Sequence, residues 1–560
     1  MPDMQDHQDG TRMSDASETW GQRFARGLMN AVLVVYVLVC AIILFVDRNV
    51  TYSMSGYNTP LLPNLALVAI AAVIALLCQK MFTLRKASDA APSPVHRTGR
   101  APYIFATAAL FCYQLVSFYY VGVLTGWDAG TLRGASTLAA PISQTLPADD
   151  WYYLYFSSYP NNLLMLIIFR VQDRIRAALM PQVSTGVFYA VISMALVSLS
   201  FYLFTRVSAK LFGRERRSLV ADGIFFVLVG LSPWYMIPYS DTYGLFMCTV
   251  MLYLLVCHSG SLPSAVALGL LGAVAYSIKP TCVFVIISMC VAWVLETCGT
   301  AALRKAISGI GIMLLVFVVS LAAVNMTIGS LGISWNEDAR ITASHFAMMG
   351  LNDETDGVFS SDDTSFSMAQ PNVEAREEAN REVIKERLNA YGPIGLAKHL
   401  VKKTLVCFND GMFAWPLEGG FFGETIGVAS DDGANFFHNY LYPPASFSVP
   451  GPYRTFCTIE QTLWLVCLIG IPLGLLRPEK RHYQEKDASD SAQPAWLVIA
   501  YCVGAMLLFL LVFEARARYL YLYSGYFVLL GMHGYQQARA RLATWSESRP
   551  RRLATPRSKS

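Results

Sequence analysis

Charge is scarce in this chain of 560 residues: 15% are Asp, Glu, Lys or Arg, while 54% are hydrophobic. A soluble domain carries about 25% charged residues, so a soluble enzyme is the wrong class. Familiar catalytic signatures are missing as well. There is no Walker loop, GxSxG, HExxH or GxGxxG followed by an acid. ATP-driven transport and serine or metalloprotease chemistry thereby lose their usual marks. The twelve cysteines form no CxxC pair and no Cys/His cluster, which removes the common zinc and iron–sulfur frames. Most of them, such as Cys40, Cys78 and Cys112, lie inside apolar runs. Cys407 and Cys457 fall outside or at the edge of the runs and are expected as free thiols, with a mutual disulfide as the alternative. The start of the chain has no short apolar core with a small-residue cleavage site, so the first apolar segment is expected to be a retained anchor. No internal repeat stands out.

What remains is a series of apolar runs long enough to cross a bilayer, which takes about 20 helical residues. They read as twelve spans, at 28–46, 61–78, 102–124, 184–206, 219–237, 241–257, 262–278, 281–297, 307–328, 457–476, 494–513 and 518–533. The expected fold is an all-α polytopic membrane protein. Lys and Arg concentrate on alternate connections: Arg85 to Arg100, Lys210 to Arg217, Arg304 with Lys305, and Arg477 to Lys486. The tail adds Arg539, Arg541, Arg549, Arg551, Arg552 and Arg557. The positive-inside rule places these segments and both termini in the cytoplasm. Residues 160–180 begin apolar and end in Arg170, Asp173, Arg174 and Arg176. That apolar part is too short to span, so it reads as an amphipathic helix on the outer face.

The chain divides accordingly. A cytoplasmic tail (1–27) precedes two spans and a basic loop (28–101). A membrane core (102–328) carries an outer loop at 125–183. A large outer segment (329–456) precedes the last spans (457–533) and a basic tail (534–560). The large segment shows helical patterning at 373–391 and again at 394–406. Its length suits a small, mostly helical or irregular domain better than a loop.

Ionisable groups at a membrane edge are functional candidates, because burying charge there is costly. Four clusters fall on the expected outer face. The first is Asp128, after Gly126 and Trp127, followed downstream by Asp149 and Asp150. An Asp there suits a general base acting on a hydroxyl, or simply a helix cap. The second is Tyr159-Pro160-Asn161-Asn162, where the asparagines suit hydrogen bonds to sugar or phosphate, or again a cap. The third pairs Asp241 with Lys279 across two tight turns, as a phosphate contact or a structural ion pair. The fourth is Glu514-Ala515-Arg516-Ala517-Arg518-Tyr519, whose arginines suit bidentate phosphate recognition or snorkelling. The large segment adds His345, Asn352, Asp410 and Trp415, polar groups beside aromatics of the kind that suit carbohydrate. No ligand set demands a metal.

Together these motifs resemble the GT-C superfamily of integral membrane glycosyltransferases, in particular bacterial members related to protein mannosyltransferases. The likeness covers about 102–533 and rests on Asp128, the YPNN stretch from Tyr159, PYSD from Pro238, KPT from Lys279 and RxRY from Arg516. The strings beginning at His345 and Asn409 look like those of Gram-positive members with no assigned substrate. The resemblance implies transfer of a sugar from a polyprenyl-phosphate donor to a cell-envelope glycan, polymer or protein outside the cell membrane, with inversion. It implies Asp128 as base, with Asp149 or Asp150 as alternatives, and Arg516, Arg518 and Lys279 as holders of the lipid phosphate. Many members of that superfamily work without a metal. Two spans ahead of the acid-bearing one, and a single Asp after Trp, depart from the commonest pattern. The rival classes are a transporter or flippase for lipid-linked sugars or polymer, and a non-enzymatic envelope assembly protein. A transporter predicts broken helices deep in the spans.

Overall fold

The structure, a computed structural model, describes residues 19–46, 62–75, 100–138, 150–213, 216–258, 261–296, 300–331, 335–419, 424–427, 432–442, 451–476 and 489–548. Asp149, Arg214 and the basic residues between 85 and 97, between 477 and 486 and beyond 548 lie outside the described residues.

Helices dominate. Ahead of the polar segment they are α1 (Trp20–Phe45), α2 (Asn64–Ala75), α3 (Ala101–Val121), α4 (Asp128–Ser136), α5 (Trp151–Ser158), α6 (Leu163–Leu179), α7 (Thr185–Phe212), α8 (Arg216–Phe225), α9 (Ser240–Cys257), α10 (Leu262–Ile278), α11 (Val283–Glu296) and α12 (Thr300–Ser330). The polar segment holds α13 (Ala343–Gly350), α14 (Ser361–Met368), α15 (Val373–Phe408) and α16 (Asp432–Leu441). The chain then returns through α17 (Pro452–Leu473), α18 (Ser489–Val512) and α19 (Ser524–Ser548). A two-residue strand β1 (Val123–Leu124) pairs antiparallel with β2 (Glu424–Thr425), tying the end of α3 to the polar segment.

Among the described residues, seven helices are long and apolar enough to cross a membrane: α1, α3, α7, α9, α12, α17 and α18. The other expected spans fall on shorter apolar helices at Asn64–Ala75, Ser218–Gly230, Leu262–Ile278 and Pro280–Glu296; the span 518–533 is not one helix, opening in a 3-10 segment (Ala517–Tyr523) before α19 starts. The apolar stretch of α12 is almost wholly uncovered by protein, with Leu315, Val318, Val319 and Met326 exposed. Such a surface suits contact with lipid or with another apolar surface. Helix α6 is a 17-residue amphipathic helix that buries Leu163, Leu166 and Phe169.

The expected span 219–237 is not one helix. After α8 the backbone widens into a π turn at Phe226–Gly230 and stops, and a separate 3-10 turn covers Pro233–Met236. Pro233 has no N–H to continue the ladder. The carbonyls freed at the break find side chains: Gln114 Nε2 donates to Gly230 O at 2.8 Å and the Tyr521 hydroxyl to Val229 O at 3.3 Å. In α15, Gly392 sits at φ 55° and Pro393 follows it, so the two helical stretches read from the sequence meet at a kink.

The core runs through the middle of the bundle. The tightest crossing is α17 on α19. A methyl group on Gly470 would meet Gly531 O at 2.3 Å, and one on Gly534 would meet Gly470 O at 1.8 Å. Glycine is required there by approach of the two backbones.

Candidate functional site

Six helix ends meet at one end of the bundle: the ends of α3, α10 and α18 and the starts of α9, α11 and α19. The other ends carry Arg23 and Arg26 at the start of α1, Arg206 and Lys210 late in α7, and Arg304 early in α12.

Asp128 opens α4 directly after Trp127. Its Oδ2 accepts from the Tyr239 hydroxyl at 2.8 Å. Burial, and then the Asp128 charge, hold the Tyr239 phenol well above its usual value, so Tyr239 remains the donor. The Tyr155 hydroxyl lies beside the same carboxylate and accepts from Asn162 Nδ2 at 2.7 Å. Tyr159 completes this aromatic wall, its ring 5.4 Å from that of Tyr155. Its phenol is pushed up to about 12 by burial and then by Asp128.

Trp127 links the acid to the cations. Its ring packs edge-on to Tyr239 at 4.8 Å and carries the Arg518 guanidinium at 4.5 Å. Such a desolvated cation–π contact contributes about 2 kcal/mol. Arg518 also faces Asp241, with Nε 3.5 Å from Oδ2, and Asp241 pairs with Lys279. Lys279 lies over the Tyr519 ring at 4.5 Å. Burial lowers the Lys279 amine, and Asp241 counters it. Arg516 is held between two acids, Glu418 at 2.7 Å and Glu514 at 2.7 Å. Burial alone would raise the Glu514 carboxyl, and Arg516 beside it brings it below its ordinary value. The Tyr519 hydroxyl donates to the other Glu514 oxygen at 2.9 Å.

Asp128, Tyr159, Asn162, Asp241, Lys279, Arg516, Arg518 and Tyr519 therefore meet in one network drawn from segments far apart in the chain. Asn161 is exposed on its rim, 3.4 Å from Asn162. Other sequence candidates lie apart. Asp150 caps α5, accepting from the backbone N–H groups of Tyr152 and Tyr153. Asn352 binds Asp363, which Arg387 grips with two bonds at 2.7 and 3.0 Å. Asp410 accepts from the N–H groups of Met412 and Ala414. Trp415 is buried and donates to Leu441 O at 2.8 Å. His345 pairs its Nδ1 with Ser367 Oγ at 2.8 Å. Ser367 spends its own proton on Asn380, so His345 Nδ1 is the donor. Cys407 and Cys457 are both free and buried.

Sequence reasoning did not single out Glu418, Glu514, Trp127, Tyr155 or Tyr239 as site residues. Glu418 carried no signal, because a Glu in a polar segment is ordinary. Glu514 and Tyr239 sat inside motifs already noted, and their roles appear only with their partners. Among the described residues no group of three or more His, Cys, Asp and Glu side chains gathers as metal ligands do. The network is thus an anion-and-cation lattice lined by tyrosine and tryptophan, with two carboxylates, Asp128 and Glu418, partly open to solvent.

No curated protein matches the chain. From residue 22 to residue 539 it matches a family described as conserved hypothetical integral membrane protein, and it belongs to that family.

Proposed function

We propose that this protein is an integral membrane glycosyltransferase of the GT-C kind. It moves a sugar from a polyprenyl-phosphate donor to a cell-envelope glycan, polymer or protein on the extracytoplasmic face. In this reading all twelve apolar segments span the membrane, both termini are cytoplasmic, and the six helix ends around Asp128 face outward.

One observation carries the reading: an acid that accepts from the Tyr239 hydroxyl stands beside a cluster of two arginines and a lysine at the ends of membrane helices. Asp128 takes the proton from the acceptor hydroxyl. The acceptor oxygen bonds to the anomeric carbon from the face opposite the phosphate. The bond from that carbon to the phosphate oxygen breaks, and the electron pair leaves with the polyprenyl phosphate. Arg516 and Arg518, with Lys279 behind them, stabilise the charge that develops there. Tyr239 holds the carboxylate in place, and Trp127 keeps the arginine next to it.

The test is transfer from a panel of polyprenyl-phosphate hexoses by the purified protein, comparing wild type with Asp128→Asn. Asparagine keeps the Tyr239 bond and removes the base, so transfer should fall about 10²- to 10⁴-fold. Transfer unaffected by Asp128→Asn refutes the base assignment. A second reading, transport of lipid-linked sugars or polymer, has the broken helix at Phe226–Met236 in its favour. Movement of intact donor across vesicles without any transfer would support it.

A further inference from the structure

Glu418 occupies the position an anionic ligand would take. Its Oε2 alone meets Arg516 Nη1 at 2.7 Å and Arg518 Nη1 at 2.9 Å. One oxygen shared by two guanidinium groups is the arrangement a phosphate oxygen makes.

The chain is bent to deliver this carboxylate. Phe413 and Ala414 both lie in the left-handed region, at φ 52° and 62°. That conformation is strained for a residue that carries a Cβ. Asp410 pins the turn through two backbone N–H groups, and Trp234 Nε1 donates to Phe413 O at 3.0 Å. Beyond the turn, Glu418 N–H donates to Ala414 O at 2.9 Å, and Glu418 O accepts from Trp127 Nε1 at 2.8 Å. The backbone of Glu418 is therefore fixed at both ends, while its side chain reaches the arginines unaided. Local strain of this kind gathers at functional sites.

The charge balance points the same way. Four carboxylates, Asp128, Asp241, Glu418 and Glu514, surround three cations, Lys279, Arg516 and Arg518. A phosphate added to this set would face an excess of negative charge unless one carboxylate left. Glu418 can leave with every cation still partnered: Arg516 keeps Glu514, and Arg518 and Lys279 keep Asp241. Glu514 is buried and held by the Tyr519 hydroxyl as well, and loss of Asp241 would strand Lys279. Among the described residues Arg518 Nε is also buried without a hydrogen-bond partner, so the seat has unused donor capacity.

We propose that Glu418 is a stand-in for the donor's phosphate: it fills the seat between Arg516 and Arg518 in the empty protein and yields it to a phosphate-bearing lipid. The identity of the ligand rests on the glycosyltransfer reading; the seat and its occupant do not. Glu418 is a positioning residue in this scheme. It keeps two like charges together in a buried site until the ligand arrives, and it sets the ligand's affinity by competing with it.

The test measures binding of polyprenyl phosphate, inorganic phosphate and the uncharged polyprenol to protein in lipid nanodiscs. Wild type, Glu418→Gln, Glu418→Ala and Arg518→Gln are compared, with thermal unfolding as the check on folding. Glutamine retains the shape and removes the competing charge, so polyprenyl phosphate should bind roughly tenfold more tightly than to wild type. Polyprenol affinity should not change, and Arg518→Gln should abolish the phosphate-dependent part. If the glutamine variant does not fold, the alanine variant is read in its place. Equal or weaker polyprenyl phosphate binding without Glu418 overturns the inference, and so does inorganic phosphate binding as tightly as the lipid. A gain in lipid phosphate binding with no sugar transfer from any donor leaves the inference standing and removes the glycosyltransfer reading. Asp128-dependent transfer with phosphate affinity indifferent to Glu418 does the opposite.

Discussion

Replacing Lys403 by methionine is expected to loosen the join between the polar segment and the last membrane hairpin. Lys403 is fully buried near the end of α15. Its ammonium donates to three carbonyls: Gly350 O at 2.8 Å, Leu511 O at 3.0 Å and Phe513 O at 2.7 Å. Gly350 closes α13, and Leu511 and Phe513 lie at the end of α18, so one cation serves two helix C-termini; His399 Nε2 also meets Gly350 O at 2.9 Å, so the loss falls on the Leu511 and Phe513 oxygens. Hydrogen bonds from a charged donor contribute about 1.5–3 kcal/mol each, and a buried carbonyl left alone costs about 1–3 kcal/mol. Methionine keeps the length of the stem and removes every donor. Relief of the ammonium's own desolvation, several kcal/mol, offsets part of the loss. The net destabilisation should be roughly 3–5 kcal/mol, the range seen when one partner of a buried ionic contact is removed. Thermal unfolding in detergent micelles, followed by tryptophan emission, should show a midpoint lowered by several degrees. Amide exchange should speed up around Gly350 and Phe513. A midpoint equal to wild type would refute the reasoning, because the three bonds would then do no more than offset dehydration of the amine.

Two further outcomes follow from buried groups. Burial holds His345 and His399 below the ordinary histidine value of 6.5, so as the pH falls the unfolded chain takes up these protons before the folded one does. The stability they carry is complete above about pH 6.5 and declines below it; unfolding midpoints measured from pH 8 to pH 5 should show this, and a His345→Asn, His399→Asn double variant with an unchanged pH profile would refute it. Glu460, buried in α17, has no hydrogen-bond partner on either carboxyl oxygen among the described residues. Glu460→Met should therefore raise stability by roughly 1–3 kcal/mol, and a lowered unfolding midpoint would show that the carboxyl has a use the fold alone does not explain.

Charges at the ends of apolar runs were legible because such a chain has so few of them. Asp128, Asp241, Lys279, Arg516 and Arg518 stand out against hydrophobic neighbours, and they converge. Their pairing was not legible. Glu418 reaches Arg516 across about a hundred residues, and no local period encodes a contact that the fold creates. Capping also competes for acids: Asp150 and Asp410 look like site candidates in one dimension, yet backbone N–H groups claim their oxygens. The break in 219–237 escaped for a related reason. Hydropathy counts apolar residues, and Leu228, Val229 and Trp234 remain apolar whether or not the helix is continuous. The kink in α15 was visible as a gap between two helical patterns, because Gly392 and Pro393 mark it directly.

The glycine seam between α17 and α19 has a mechanical consequence. With Gly470, Gly531 and Gly534 in backbone contact, neither helix can slide or roll past the other without a collision of main-chain atoms. The pair therefore behaves as a single girder. The turn bearing Arg516 and Arg518 is mounted on the end of that girder, where α19 begins. Glu418 comes from the polar segment instead and is free of this constraint. With the Glu418 backbone held by Trp127, opening the charged site falls to its side chain, which swings against a stationary arginine mount.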